Sequence, residues 1–365
     1  MSDTTMGAGV RLAILRPDHL GDVLLTLPAA AALRRALPGA CISYLVAPGV
    51  ADIPRHCPDV DATYTVPFPP LTAASPPPGW AAIVAREAAA LRGRFDLALL
   101  PRPDDPWSGP LVAAAGIPIR LGYAAPRTLP FLTAALPVRR GRHVVAQALD
   151  LAAAAIGHLG APATIETEAL EPPRFVSTSA EEAETSAVLA RAAGDSGGPL
   201  LVLHPGSGWP LKSWPPRRWG KLAGALQRRY GAAPLVTGGP AERELVDAVV
   251  GASAGCASGL AGELSLGGLA ALYRRARLVI ATDSGPLHLA TAVGAPVVGL
   301  YGPAEPLQFG PWCPADRFRI VRASLPCSPC GTLVDPPCGA RTEPACVTGI
   351  TVAAALAAAA DLLGA

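Results

Sequence analysis

Two hydrophobic patterns alternate along the chain. Short runs of consecutive apolar residues, many of them β-branched, are separated by longer stretches in which apolar residues recur every three or four positions. The first pattern predicts strands buried on both faces, and the second predicts amphipathic helices. Strands are predicted at residues 10–15, 41–46, 97–100, 200–204, 234–236, 278–281 and 297–300, and helices at 23–37, 216–230 and 241–250. This alternation is typical of parallel sheets built from βαβ units, so the predicted fold class is α/β.

The length of the chain favours two domains. With 365 residues, the chain exceeds one ordinary domain and suits two of average size. Between residues 165 and 198 the apolar rhythm is interrupted by a Glu-rich stretch and by Pro-Pro and Gly-Gly pairs, which are typical of a domain boundary. We therefore predict an N-terminal domain over residues 1–173 and a second domain over residues 174–350.

Charge and hydropathy exclude some functional classes. The net charge of +2 is too small to favour nucleic acid as the main partner. The apolar stretch at residues 352–360 is far shorter than the roughly 20 residues of a membrane-spanning helix, and the N-terminus has no signal-peptide pattern. We therefore predict a cytoplasmic protein, in which the eight cysteines stay reduced as free thiols or metal ligands.

The stretch at residues 278–294 carries the clearest sign of a ligand site. An apolar run ends in Thr282, Asp283, Ser284 and Gly285, and Pro286 then opens a helix. The first amides of a helix lack partners within it and lie at the positive end of its dipole, so this helix start could bind a diphosphate. Asp283 or Ser284 could equally be the cap of a purely structural helix.

The first predicted strand leads into a turn that contains a carboxylate. Residues 16–22 read Arg-Pro-Asp-His-Leu-Gly-Asp, which places Gly21 and Asp22 at the start of the following helix. In an open α/β sheet this edge is the ligand side, so Asp22 could accept a proton from an incoming hydroxyl group. As a helix cap, Asp22 would only complement the helix dipole. The turn lacks the G-x-G-x-x-G pattern of dinucleotide sites.

Two turns in the second half contain groups suited to a nucleotide. Lys212 follows a small-residue loop and could neutralise a phosphate, or it could be a solvated loop residue. Trp214 and Trp219 are predicted to pack the helix that follows. Glu242 lies in the first turn of another helix and could hydrogen-bond ribose hydroxyls or complement that helix dipole. The small residues of the first loop are Gly206, Ser207 and Gly208.

These segments, in this order and spacing, resemble glycosyltransferase family 9, the ADP-heptose:lipopolysaccharide heptosyltransferases. The matching motifs lie at residues 20–28, 204–214, 238–242 and 282–290, so the resemblance spans nearly the whole chain. It implies the GT-B architecture, in which two Rossmann-like domains with parallel sheets face each other across a cleft. It also implies that the last helix, within residues 351–365, packs back on the N-terminal domain.

The resemblance implies a role for each matching residue. Asp22 matches the catalytic carboxylate that deprotonates the acceptor hydroxyl in a single inverting displacement, without a metal or other cofactor. Lys212 matches the lysine on the donor diphosphate, and Glu242 matches the acid that holds the nucleoside. The implied reaction moves a heptose from ADP-heptose to a hydroxyl of a lipopolysaccharide-core or other cell-envelope glycan. The other implied donor-binding residues are Ser207, Gly208, Thr282, Asp283, Ser284, Gly285 and His288.

Cationic side chains are concentrated in the half of the chain that the resemblance assigns to the acceptor. Together with Gly21, Arg120 and Arg127 are the candidate acceptor-binding residues. They could bind anionic groups of a lipid-linked glycan at the inner membrane surface, or they could form a solvated loop face. Residues 16–19 depart from the family, because small hydroxyl residues are common in that loop.

Four cysteines near the C-terminus form a candidate metal site. Tetrahedral zinc or iron could be held by Cys327, Cys330, Cys338 and Cys346 in a loop rich in Pro and Gly, and some relatives of the family hold iron in such a segment. The site would be structural, and reduced free thiols are the alternative. Two other functions also fit the sequence: a GT-B enzyme with another nucleotide sugar or acceptor, and a non-catalytic nucleotide-binding or metal-binding protein.

Overall fold

The chain forms two compact units, Met1–Arg174 and Phe175–Ala365. The computed structural model describes residues 9–70, 76–161, 171–192 and 198–364. The division between the units falls one residue after the boundary predicted from the sequence. Each unit contains its own sheet and its own core.

The first unit is built on a six-stranded parallel sheet. Its strands are β1 (Arg11–Leu15), β2 (Cys41–Val46), β3 (Ala62–Thr65), β4 (Leu97–Leu100), β5 (Ile119–Tyr123) and β6 (Ala134–Leu136). Their order is β3-β2-β1-β4-β5-β6, which is the order of a Rossmann sheet. The central strands β1, β2 and β4 are buried over nearly their whole length, as expected when helices cover both faces of a parallel sheet.

Helices pack on both sides of this sheet. In the described part of the unit they are α1 (Leu20–Leu24), α2 (Leu27–Ala36), α3 (Asp52–Arg55), α4 (Trp80–Leu91), α5 (Ser108–Ala114) and α6 (Val144–His158). The single helix predicted at residues 23–37 is therefore two helices. The Thr26 hydroxyl donates to the Val23 carbonyl at 2.8 Å, and Pro28 has no amide hydrogen with which to continue the first helix.

Trp80 of α4 and Trp107, just before α5, join these helices to the sheet. Their ring centroids lie 5.4 Å apart at an interplanar angle of 73°, and both rings are buried. They belong to one apolar cluster with Leu15 of β1 and Leu100 of β4. Burial of such side chains contributes roughly 1.5–3 kcal/mol each, so this cluster fixes the strand ends from which the functional loops begin.

The second unit repeats the same sheet topology. Its strands are β7 (Leu201–His204), β8 (Leu235–Gly238), β9 (Ser258–Ala261), β10 (Leu278–Thr282), β11 (Val297–Tyr301) and β12 (Phe318–Arg322). They are all parallel, and their order is β12-β11-β10-β7-β8-β9. Relative to the chain direction this is the Rossmann order again, so both predicted sheets are confirmed.

The described helices of the second unit continue the βα alternation. They are α7 (Ser179–Ala192), α8 (Pro216–Tyr230), α9 (Arg243–Ala252), α10 (Leu266–Arg275), α11 (Gly285–Ala292), α12 (Pro306–Phe309), α13 (Ala345–Thr348) and α14 (Val352–Leu363). Trp214 and Trp219 pack edge to face at the start of α8, with ring centroids 5.1 Å apart, and both are buried. The predicted packing role of these two rings is confirmed.

The last helix, α14, belongs to the core of the second unit. Its small residues Ala355 and Ala359 are fully buried in the apolar cluster that contains Trp214. The Trp214 indole donates to the Ile350 carbonyl at 3.1 Å, which anchors the chain just before the helix. Within the second unit, this helix packs its alanine face against α8 and the sheet, and its packing on the N-terminal domain stays a prediction.

Each sheet has one position at which the strand order reverses direction. In the first unit it lies between β1 and β4, and in the second unit between β7 and β10. Loops that leave the carboxyl ends of such strands diverge to opposite sides of the sheet, and ligands bind in the crevice between them. These two switch points contain most of the residues that the sequence singled out.

Within the described ranges, no helix combines the length and the apolar character that a bilayer crossing requires.

Candidate functional site

A network of alternating charges occupies the switch point of the first unit. The Arg16 guanidinium, at the end of β1, lies 2.7 Å from Asp22 Oδ1 through Nη2 and 2.9 Å from Asp18 Oδ1 through Nε. The other oxygen of Asp18 pairs with Arg102, which follows β4. The network therefore joins the loops that leave both strands of the switch point, and it fixes one oxygen of Asp22.

The charges around Asp22 control its ionisation. Burial raises the pKa of this carboxyl, but Arg16, His19 and Arg102 more than offset burial and hold its pKa below the usual range. The His19 ring lies 3.6 Å from Asp22 Oδ2 through Nδ1. Asp22 is therefore an ionised carboxylate at neutral pH, with one oxygen bound to Arg16 and the other next to a histidine.

Asp18 and Asp105 complete the acidic side of this network. Asp18 is buried, and the loss of hydration raises its pKa, although Arg16 and Arg102 oppose that rise. Asp105, also buried, accepts from the Trp107 amide at 2.9 Å and its charge helps to keep Arg16 protonated. Ligand atoms of Asp18, His19 and Asp22 lie within 4.8 Å of one another, but the two arginines already supply the positive charge that these carboxylates need.

The candidate phosphate site forms at the carboxyl end of β10. Ser284 precedes α11 and makes no side-chain cap; its hydroxyl instead donates to the Thr282 carbonyl at 3.1 Å. Pro286 occupies the first turn of the helix. Asp283 turns towards Lys212 rather than the helix amides, and its Oδ2 lies 2.7 Å from Nζ. Neither polar side chain of this turn acts as the simple cap that the sequence left open.

Lys212 is placed by a short 3₁₀ turn, Pro210–Lys212, after β7. The ion pair that it makes with Asp283 is largely removed from solvent, with 15% and 4% of the two side chains exposed. The pair bridges the loops of β7 and β10, the two strands of the second switch point. An incoming phosphate would compete with Asp283 for a cation that is already held in place.

Glu242 lies across the β7 loop from Gly206. A Cβ built on Gly206 would meet Glu242 Oε1 at 2.0 Å, so only glycine leaves room for this carboxylate. Glu242 Oε2 accepts from the Gly239 amide at 2.7 Å, which ties it to the start of the next helical turn. The Gly206 carbonyl in turn accepts from the buried Thr282 hydroxyl at 2.7 Å, so the loops of β7, β8 and β10 are held together.

The buried His204 ring contacts Glu242 and the hydroxyl groups behind it. Its Nδ1 lies 3.0 Å from the Thr237 hydroxyl and 3.1 Å from the Tyr273 hydroxyl, and its Nε2 lies 3.7 Å from Glu242 Oε2. Burial lowers the pKa of His204 to about 4. The ring is therefore neutral at physiological pH and adds no positive charge beside Glu242.

Substitution of Gly206 tests the position of the Glu242 carboxylate. Gly206→Ala is expected to displace the carboxylate and raise the KM for the nucleotide-bearing ligand about tenfold, roughly the value of one hydrogen-bonded group. Because the displaced atoms are the mobile end of a side chain, the melting temperature should change little. Gly251→Ala, on the exposed face of α9 with open space around its Cβ, is the matched control. Equal KM values for both variants would show that Glu242 does not touch the ligand.

The remaining predicted donor residues lie in the same loops. Ser207 accepts from the Trp209 amide at 3.2 Å and so shapes the loop, and Gly208 is exposed with open space around it. Gly285 begins α11, and His288 is buried one turn into that helix. The structure thus brings all nine predicted donor-binding residues to the carboxyl side of the second sheet.

The predicted acceptor residues do not form one group. Arg120 lies near the amino end of β5, and its guanidinium donates to the Phe131 and Ile117 carbonyls at 2.6 Å. These bonds give Arg120 a structural role on the edge of the sheet opposite the switch point. Arg127, after the carboxyl end of β5, is exposed, and Gly21 is buried in the first turn of α1 beside Asp22.

Sequence reasoning missed the partners of Asp22. Arg16 and Asp18 were noticed only as a departure from the family loop, and Arg102 was not singled out. An arginine that directly follows a buried strand, with carboxylates two and six residues later, was the available signal. Buried arginines are rarely left unpaired, so this spacing could have indicated the ion pairs.

The four C-terminal cysteines line one pocket. Cys327, Cys330, Cys338 and Cys346 share it with apolar and proline side chains, and all are free thiols. Burial and the neighbouring thiols raise the pKa of Cys346. Among described residues, no three of these sulfurs lie within 4.8 Å of one another, whereas sulfurs around tetrahedral zinc are about 3.8 Å apart. The four thiols line one pocket, but their sulfur atoms do not lie at metal-binding distances from one another.

Known heptosyltransferases are similar to this chain in sequence and in fold. The chain is similar to lipopolysaccharide heptosyltransferase 1 of Pseudomonas aeruginosa, with 27% identity over 332 residues, which cover 88% of this chain and 86% of that protein. The solved structure of Escherichia coli ADP-heptose lipopolysaccharide heptosyltransferase II shares the fold, with a TM-score of 0.73, 19% identity and coverage of 97% and 98% of the two chains. The iron-containing dodecameric glycosyltransferase TibC of enterotoxigenic Escherichia coli gives a TM-score of 0.57 at 16% identity, over 98% of this chain and 76% of that chain.

The family model for glycosyltransferase family 9 (heptosyltransferase) matches residues 84–336, well over half of the chain. The match includes every predicted donor-binding residue. The predicted family and the α/β, GT-B type of fold are therefore confirmed. The chain belongs to glycosyltransferase family 9, the heptosyltransferase family.

Proposed function

We propose that the protein is an inverting, metal-independent heptosyltransferase that moves heptose from ADP-heptose to a hydroxyl of a lipopolysaccharide-core or other cell-envelope glycan. The observation that carries the proposal is that the two switch points hold complementary chemical groups. One contains an ionised carboxylate, Asp22, and the other contains a lysine beside a helix start. These are the groups that an acceptor hydroxyl and a departing diphosphate require.

The second switch point suits a nucleoside diphosphate. Lys212 supplies a cation, and the amide end of α11 supplies the positive end of a helix dipole. Glu242, held in place by the Gly239 amide, offers its Oε1 to the hydroxyls of a ribose. As the bond to the leaving group breaks, negative charge grows on the diphosphate and is met by groups that are already fixed.

The first switch point suits the acceptor hydroxyl. In an inverting transfer, the acceptor oxygen attacks the anomeric carbon as the bond to the diphosphate breaks, and the hydroxyl proton must leave in the same step. Asp22 is ionised and is oriented by Arg16, so its Oδ2 is the group that would take this proton. The names of the similar proteins support heptose as the sugar and ADP as the nucleotide.

A donor panel tests the proposal. The purified protein would be melted in the presence of ADP, UDP, GDP and their sugars, with a chelator present, and ADP release would be measured with glycan acceptors. We expect a selective stabilisation by ADP-heptose and transfer that the chelator does not affect. Selective stabilisation by a UDP-sugar or GDP-sugar would assign a different donor. Binding without any turnover would assign a nucleotide-binding protein instead of an enzyme.

The acceptor is proposed to be anionic and presented at a membrane surface. Arg127 follows β5, and Arg139 and Arg140 follow β6, so these exposed cations lie beyond the carboxyl ends of neighbouring strands. Arg142 is paired with Asp150 at 2.7 Å. We expect Arg127→Ala to raise the KM for the acceptor while the KM for the donor stays constant. Equal acceptor KM values for the variant and the wild type would remove Arg127 from the acceptor site.

We also propose a structural zinc or iron ion at the pocket lined by the four C-terminal cysteines. Four thiols converge there, and the other lining residues are leucine and prolines that carry no competing charge. The metal would fix the loop between β12 and α13, beside Leu211 of the 3₁₀ turn that places Lys212. We expect metal analysis of the purified protein to find about one ion per chain, and Cys330→Ser to lose it. Cys41→Ser, on β2, is the control; a metal-free wild type would leave reduced thiols as the interpretation.

A further inference from the structure

Asp22 presents its two oxygens to different partners. Oδ1 accepts from Arg16 Nη2 at 2.7 Å, and Oδ2 lies 3.6 Å from His19 Nδ1. The oxygen that would remove the acceptor proton is therefore the one beside the imidazole. The His19 side chain is 60% exposed, so its far nitrogen can exchange protons with water.

We propose that His19 is a second catalytic residue, which takes over from Asp22 Oδ2 the proton that leaves the acceptor hydroxyl. This inference rests on the proposed function, because it adds a step to the same transfer. Arg16 acts as a positioning residue that keeps Oδ1 occupied and Oδ2 directed to His19.

Each bond that forms in the transfer is matched by a bond that breaks. The acceptor O–H bond breaks, its oxygen forms a bond to the anomeric carbon, and the bond between that carbon and the diphosphate oxygen breaks with its electron pair on ADP. The proton passes to Asp22 Oδ2 and then to Nδ1 of a neutral His19 ring that is protonated at Nε2. The imidazolium releases its Nε2 proton to water and Asp22 returns to its carboxylate form. Proton exchange between the exposed ring and water then restores the tautomer protonated at Nε2 before the next transfer.

The surrounding charges favour transfer away from Asp22. Arg16 and Arg102 stabilise the carboxylate, so a proton on Asp22 is held weakly. The Asp22 carboxylate raises the pKa of His19 above its usual value, burial and Arg102 oppose that rise, and Asp18 adds to it. On the neighbouring helix α3, Asp52 and Arg55 pair with each other at 2.9 Å. Asp105 acts through Arg16. The imidazole is therefore the stronger base of the pair.

The two assignments of the base predict different pH profiles. A base with a pKa below the usual carboxyl range would give a kcat/KM that is constant between about pH 5 and pH 8. A neutral His19 is required in our proposal, and protonation of its ring below its raised pKa blocks the step. We therefore expect kcat/KM to fall about tenfold per pH unit below a midpoint above about 6.5.

Chemical rescue tests the proposal directly. We expect His19→Ala to lower kcat about 10–100-fold, towards the low end of general acid–base effects, and to lose the acidic limb of the profile. Added imidazole should restore a large part of the rate, because the exposed site admits it. His158→Ala, an exposed histidine at the end of α6, is the control and should match the wild type. Asp22→Asn should stay inactive with imidazole, since the first proton acceptor is missing.

Failure of this inference can be separated from failure of the proposed function. A His19→Ala protein that keeps the wild-type kcat and pH profile, or whose loss imidazole does not restore while its melting temperature and donor binding are intact, would overturn the role of His19 alone. A wild-type protein that transfers no sugar from any donor would overturn the proposed function and this inference with it.

Discussion

Asp22→Asn is expected to lower kcat by about 10²–10⁴-fold, the range of general acid–base catalysis, while the affinity for the donor stays within about twofold. The amide keeps an oxygen that can accept from Arg16, so the loop should hold its shape. It cannot remove a proton. Initial rates with saturating donor and acceptor would give kcat, and thermal shifts with ADP would report donor binding.

The control for this prediction is Asp52→Asn, which removes an exposed carboxylate from the neighbouring helix α3. It should leave kcat unchanged. If Asp22→Asn kept more than about a tenth of the wild-type kcat, proton removal by this carboxylate would not limit the reaction, and the proposed mechanism would lose its base.

Lys212→Met is expected to lower kcat/KM by about 10²–10³-fold, the effect of removing one fixed group that stabilises developing negative charge. The same change leaves Asp283 buried without its cation, so the free energy of unfolding should also fall, by about 3 kcal/mol. Melting curves and steady-state kinetics would measure the two effects separately.

A second substitution distinguishes catalysis from stability. In the double variant Lys212→Met, Asp283→Asn the unpaired charge is removed, so much of the stability should return while kcat/KM stays low. Lys221→Met, on the exposed face of α8, removes the only other lysine in the sequence and should change neither quantity. Recovery of activity together with stability would mean that Lys212 only supports the fold.

The parts of the fold that were predictable are those with strong, continuous apolar signals. The predicted strand at residues 278–281 is observed as Leu278–Thr282, and that at residues 10–15 as Arg11–Leu15. The strands that were missed towards the sheet edges are short or interrupted. Arg120 and Gly122 break the pattern of β5, and β6 has only three residues, so their assignment depends on pairing with a neighbour.

The candidate site was predictable where its residues follow strands with a clear apolar signal. The turn at residues 282–285 follows β10 and Lys212 follows β7, and these two strands pair in the sheet, so both loops lie at the same edge. The partner of Asp18 follows another strand, 84 residues along the chain, and only the strand order brings it close. Arg120 was misplaced because a run of charges says nothing about which end of a strand each residue occupies.

The scarcity of lysine makes the ion pair between Lys212 and Asp283 a natural reporter. Amine-directed reagents meet only two side-chain targets in this protein, one open on α8 and one shielded by a carboxylate. Differential acylation, followed by mass spectrometry of two peptides, would register occupancy of the phosphate subsite without any engineered label. The open amine provides an internal reference for the reagent dose.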